Sequence, residues 1–589
     1  MTQSAGASLS FTELRDALKA RVDELGHSNI DLNETLRYLT TLPDDAHSQE
    51  SVDALVQLAR NFFFSAQPVE ALKAASVASQ LATVLDQNLL LCNARGLEGL
   101  ALSDLGRFTE ATVAHAESWR LARMLGSIER EGWAIKRVGD LWEAMAQFDA
   151  AMTYLSRSRD LADEHGLLDL ELESRNNIAN CAVQLRDPEA GLRALLPLAT
   201  YESETRMDVL RQANAHDTLG HLYLLADDLC KARVHAQESG RFAKLAGVKR
   251  TIQLHQALLG LIDVRSGAVE KGLAAVEDSL AFARHVDYTD VADFLGICAD
   301  AHEAAGHADR ALMYLQELVD WKRKALDAEV MPLEYEVSRE SSRFQTGSST
   351  FDDTLLARSQ RLQVGVQQRI QHLVETAINA EVASGHDLYR TFRVAKLSHC
   401  LAGALGWSEE RLAPLMLGAQ LCNIGMMAIP ARILQKRRGL SDSELHVMRA
   451  HTQYGAELLR KSKLSRLEVA AVIAEQHHER YDGSGYPHGI RGETIAEESR
   501  VVAICDAFDA MTHRRPWRPD PMSIQAALNE LERGAGRQLD SRIVDAFLHF
   551  IRREFWEHEN FDAFLAEGAD ELEYIRARSR MEALIASGR

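Results

Sequence analysis

The most chemically specific string in this 589-residue sequence is HHERYDGSGYPHG, His477 to Gly489. It follows a stretch, Leu467 to Gln476, that reads as helix. Adjacent histidines at a helix end can both reach one metal site, and imidazole suits several transition metals. Gly483 and Gly485 permit a tight turn, and Tyr486-Pro487 fixes the loop after it. The histidine pair alone is weak evidence, since surface histidines are common; the string as a whole is specific. The seven cysteines form no C-x-x-C pair, which points to a reducing compartment and to small buried apolar side chains. Only Cys422, in the segment LCNIGM, invites a chemical reading.

Four further segments accompany that string: IGMMAIPARIL (Ile424 to Leu434), MRAHTQYGAELL (Met448 to Leu459), RVVAICDAFDAMTHRRPWR (Arg500 to Arg518) and GRQLDSRIVDAF (Gly536 to Phe547). Together they resemble the HD-GYP domain, a subclass of the HD phosphohydrolase superfamily, from Gly385 to about Ile551. The resemblance implies an all-helical domain. It also implies two or three metals, often iron or manganese, in active members that hydrolyse cyclic di-GMP. There, bridging metals acidify and orient a water and stabilise charge on the phosphate.

Carried over position by position, the resemblance gives an incomplete site. His451, His477, His478 and Asp506 stand at ligand positions, with Cys422 and His386 as secondary candidates. Cys422 and Asn423 replace the His and Asp of the HD pair, Met426 replaces a lysine, and Arg390 stands where an early ligand histidine belongs. Asparagine cannot neutralise two cations as a bridging carboxylate does, and an arginine stays protonated and repels a metal. A cysteine can ligate as thiolate. The expectation is therefore no metal or one transition metal (iron, manganese or zinc), with no nucleotide cofactor. Arg515 and Arg518, with Arg514 beside them, and Tyr486 match positions that contact the dinucleotide. Asp482, Gly483, Gly485, Tyr486 and Pro487 match the signature loop, which in some relatives docks diguanylate cyclase domains.

These residues lead to a regulatory signalling protein with a catalytically degenerate HD-GYP domain that senses cyclic di-GMP or docks a diguanylate cyclase. The alternative is an active metal-dependent phosphodiesterase with an atypical metal site. A hydrolase for another phosphate ester stands behind both.

The elements that carry these residues are helices, so the fold class is all-α. Small residues recur at Ala59, Gly99, Gly139, Ala179, Gly220, Gly260 and Ala299. A second series runs Ala71, Ala111, Ala151, Gly191, Ala232, Gly272 and Ala311, each twelve residues after its partner. Successive pairs lie 39 to 41 residues apart. Seven helix–turn–helix units follow from this, resembling tetratricopeptide repeats over Ser51 to Glu329. The period is longer than the usual ~34, which is expected to lengthen the second helix of each pair. Such hairpins bury their apolar stripes by stacking into a superhelix with a concave face for a protein or peptide.

After a break at Gln345–Thr350, Leu355, Leu362, Val366, Ile370, Leu373, Ala377 and Val382 form a stripe that suits a connector helix and a dimeric coiled coil. The expected division is 1–50 N-terminal segment, 51–329 repeats, 330–384 connector, 385–555 degenerate domain and 556–589 helical tail. A net charge of −20 argues against nucleic acid as a partner. No apolar run reaches the ~18 residues of a membrane span. The sequence begins without a secretory signal, so a cytoplasmic location is expected.

Overall fold

Two interleaved series of small side chains organise the first half. The computed structural model describes residues 49–586 except 65–66, 200–207, 286–290, 331–350, 437–438, 463, 516–517, 519 and 559. Fourteen helices form seven consecutive pairs. These are α1 (Gln49–Phe64) with α2 (Pro68–Val84), α3 (Asn88–Asp104) with α4 (Phe108–Met124), and α5 (Ile128–Ala144) with α6 (Phe148–His165). Next come α7 (Leu168–Gln184) with α8 (Pro188–Leu195), α9 (Val209–Leu225) with α10 (Leu229–Ala246), α11 (Lys249–Arg265) with α12 (Val269–His285), and α13 (Val291–Ala304) with α14 (Ala308–Val330). The first small series falls on the odd helices and the second on the even ones, and all fourteen residues are buried.

The close approach is literal at Gly272, where a Cβ would lie 2.5 Å from the Gly260 carbonyl oxygen. Each described turn inside a hairpin holds one residue at positive φ: Gly106, Ala146, Arg186, Asp227, Gly267 and Gly306. The next amide closes the helix end, as in Gln147 N to Trp142 O at 2.8 Å and His307 N to His302 O at 2.8 Å. The long period does not lengthen the second helix alone: α3 and α4 each have 17 residues, so the added turn is shared.

The rest of the chain is α15 (Phe351–Ala383), α16 (Arg390–Ala404), α17 (Glu409–Leu421), a 3-10 helix (Ile424–Ala428), α18 (Ala431–Leu434), α19 (Asp442–Arg449), α20 (His451–Lys461), α21 (Glu468–Gln476), α22 (Glu497–Thr512), α23 (Ile524–Gly534), α24 (Ser541–Glu557), α25 (Phe561–Leu565) and α26 (Glu573–Ala586). Among the described residues no strand forms, only isolated bridges such as Arg515–Arg518. The chain divides into two compact units. One runs to Ile178 and takes in α26; the other is Ala179–Leu572.

Within the second unit the last repeat and the following helices share a core. Ala428, Ile429, Ile433, Leu434 and Val447 are buried in one cluster with Phe294, Leu295, Leu315 and Leu318 of α13 and α14. Arg432 adds hydrogen bonds to the Gly296 carbonyl (3.1 Å) and Asp300 (2.7 Å). A separate core around Phe508 and Phe547 joins α16, α17, α22, α23 and α24.

The stripe read as a coiled-coil seam has another use along its second part. Ile370, Leu373 and Ala377 are buried within the chain, where α15 packs on the 3-10 helix, α16 and α17. Apolar area already covered in one chain is not available to a partner helix. The side chains of Leu355 and Leu362, the break at Gln345–Thr350 and nearly all of the N-terminal segment lie outside the described residues.

Candidate functional site

Two helices lay arginines against aspartates. Arg390 and Arg393 sit one turn apart on α16, and Asp506 and Asp509 sit one turn apart on α22. Residues three apart share a helix face, so the helices meet as a two-rung ladder. Arg390 donates to Asp506 and, with its other terminal nitrogen, to Glu381 of α15. Arg393 donates to Asp509 (2.6 Å) and grips both oxygens of Asp387 at 2.6 and 2.7 Å. Arg390, Glu381 and Asp509 are almost wholly buried. Burial opposes the Arg390 charge, but the Asp506 and Glu381 carboxylates more than offset it and raise its pKa. The guanidinium is therefore a fixed cation inside an acidic cage.

Asn423 borders the same cage. Its amide nitrogen donates to Glu381 at 2.9 Å, while its Oδ1 is buried without a partner. Cys422 is buried beside it, and burial, then the Asp506 charge, pushes its thiol well up. His386 turns back on α15, its Nδ1 donating to the Glu381 carbonyl at 2.9 Å. Met426 packs its sulfur 3.0 Å from the Ser384 hydroxyl, which donates to it.

The imidazoles form the other side. His451, His477 and His478 offer ligand atoms all within 4.8 Å of one another. Gly425 and Gly455 make this possible: a Cβ on Gly425 would collide with the His451 carbonyl, so the 3-10 helix can lie directly on α20. His451 Nδ1 donates to the Met448 carbonyl (2.7 Å) and His477 Nδ1 to the Ile473 carbonyl (3.0 Å). Each ring then leaves Nε2 buried and unpartnered. Burial pushes the His451 pKa down to about 3 and lowers those of His477 and His478, so the rings are neutral, as metal ligation requires.

The signature loop closes over this side. Tyr486 stacks on His478 with centroids 4.9 Å apart. Glu479 Oε1 accepts from the His488 and Gly489 amides at 2.7 and 3.1 Å, which ties the loop back to its own start. Asp482 caps the turn by accepting from the Ser484 amide at 2.9 Å. Gly483 takes φ +83°, and a Cβ on Gly485 would collide with the Arg480 amide. Asp482 and Ser484 are exposed.

Arg515 and Arg518 exchange backbone hydrogen bonds of 3.0 Å each way. Arg515 is buried with its Nε unpartnered, 3.5 Å from Asp509 through a terminal nitrogen, and burial pushes its pKa down to about 10. Arg518 donates to the Ala510 carbonyl, and Arg514 is exposed.

The three imidazoles, with two buried Nε2 atoms aimed at no partner, fit one metal ion. The acidic side does not fit a second. Asp506 and Glu381 are held by Arg390, and Asn423 beside them is neutral. Among the described residues Asp506, Cys422 and His386 do not join the imidazole cluster.

The sequence matches the family described as HD domain over residues 356–543. That region is an HD domain. Over 156 residues the chain is 42% identical to the cyclic di-GMP phosphodiesterase response regulator RpfG of Xanthomonas campestris, covering 26% of this chain and 41% of that protein. Over 189 residues it is 36% identical to a cyclic di-GMP phosphodiesterase of Thermotoga maritima, covering 32% and 50%. The chain thus spans half or less of these relatives. Among solved structures it is similar to aspartyl phosphate phosphatase F of Bacillus subtilis, with 13% identity and a TM-score of 0.41 over 52% of this chain and 88% of that one. Among the described residues no helix is long and apolar enough to cross a membrane.

Sequence reasoning missed Glu381, Arg393, Asp387, Asp509 and Glu479. Asp509 and Arg393 carried a signal, the matching D-x-x-D and R-x-x-R spacings. Glu381 carried none, because its importance comes from where α15 ends.

Proposed function

We propose that this chain is a regulatory signalling protein whose HD domain binds a cyclic dinucleotide, or docks a protein that makes one, without hydrolysing it. The observation that carries the reading is the engagement of Asp506 and Glu381 by Arg390. With those carboxylates neutralised from within, no anionic bridge is left to hold two metals and the hydroxide between them. The retained loop from Asp482 to Pro487 and the unpartnered Nε of Arg515 support a binding role, since guanidinium suits phosphate and the guanine edge. The repeats take a protein or peptide partner, and the chain works in the cytoplasm as a homodimer through its connector helix.

A second reading, an active phosphodiesterase with one metal, is favoured by the imidazole cluster alone. The test is turnover of cyclic di-GMP by metal-supplemented protein alongside equilibrium binding of the same nucleotide. Binding without turnover supports the proposal. Turnover that vanishes in His477→Ala promotes the second reading.

A further inference from the structure

The last helix of the chain is amphipathic around an arginine. On α26, Tyr574, Ile575, Ala577, Arg578 and Met581 are buried, while Glu573, Arg576, Arg580 and Glu582 are exposed. This is one face of a helix. It is spent on the repeats: α26 packs on α4 within the first unit, more than four hundred residues earlier in the sequence. The Arg578 guanidinium lies 4.4 Å from the ring centroid of Trp142 on α5. Its Nε donates to Glu582 at 3.0 Å. Tyr154 on α6 meets Trp142 at 6.2 Å and Trp119 of α4 edge-on at 6.1 Å, and all three rings are buried. A cation over a desolvated indole is the stronger form of the cation–π contact. Trp142 Nε1 and the Tyr154 hydroxyl are buried with no well-formed hydrogen bond, so α26 leaves capacity that a better-matched ligand can use.

We propose that the α4–α5–α6 surface is a helix-binding site, that α26 is its occupant in cis, and that a protein partner competes for it. The partner presents an amphipathic helix with an aromatic residue, an arginine four positions later and an aliphatic residue three further on.

The experiment uses the full chain and a fluorescent peptide of residues 571–589, followed by anisotropy. A tethered helix has an effective concentration on the order of millimolar, so wild type should leave micromolar peptide free. Arg578→Glu places an anion on the indole face and should release α26, raising peptide affinity at least ~10-fold. A peptide carrying the same change should bind neither protein. As a second measurement, excess unlabelled peptide should speed hydrogen exchange of α26 amides in wild type. A folded Arg578→Glu chain that binds no better than wild type, a variant peptide that binds as well as the original, or α26 exchange unmoved by excess peptide overturns the proposal.

Discussion

The HD-domain site has two sides built from different helices, and they differ in whether the chain itself supplies the cation. On the acidic side Glu381, Asp506 and Asp509 face Arg390 and Arg393, and every carboxylate has a cation. On the imidazole side His451 and His477 end in unpartnered Nε2 atoms. One side is closed by a cation that belongs to the chain; the other is open to one from outside. The difference follows from one residue type: a guanidinium brings its charge covalently, whereas an imidazole supplies only a lone pair.

Removing the internal cation is the harshest way to break this comparison. Arg390→Met leaves Glu381 and Asp506 buried and uncompensated, and should cost ~3–5 kcal/mol in denaturant unfolding. A loss below ~1 kcal/mol would mean that the cage tolerates an uncompensated charge and is not closed in the sense argued.

Metal content sharpens it next. Elemental analysis should find at most one transition metal per chain, lost in His477→Ala. Cys422→His with Asn423→Asp should not add a second while Arg390 remains; adding Arg390→His should. Two or three stoichiometric metals in wild type would collapse the distinction between the sides.

The repeats offer a comparison of their own, between positions filled to contact and positions under backbone strain. Gly272→Ala would put a Cβ 2.5 Å from the Gly260 carbonyl and 2.7 Å from the Val264 amide, atoms that cannot swing away. It should cost ~1–3 kcal/mol. The smallest effect has the opposite sign. Ala146 and Arg186 hold φ of +56° and +55° where other repeats place glycine, so Ala146→Gly or Arg186→Gly should stabilise by up to ~1 kcal/mol. A thermal melt that moves down in both would show that the left-handed turn is not the weak point.

Residue pattern alone determined the helical class, the seven pairs and the two small-residue series, because each depends on spacing along one helix and repeats every forty or so residues. The family resemblance marked His451, His477, His478 and Asp506 as ligand positions, of which the three histidines cluster, and Arg390, Cys422, Asn423 and Met426 as departures from it. The tertiary structure alone decided what those departures do. Arg390 could have pointed to solvent; only the crossing of α16, α22 and the end of α15 aims it at Asp506 and Glu381. The same holds for α15, whose apolar stripe reads as a seam for a partner helix but is partly buried in its own domain, and for α26, whose buried arginine needs an aromatic cluster from far up the chain. Spacing is a property of one segment. Charge pairing and burial belong to segments brought together, and only the folded chain specifies those.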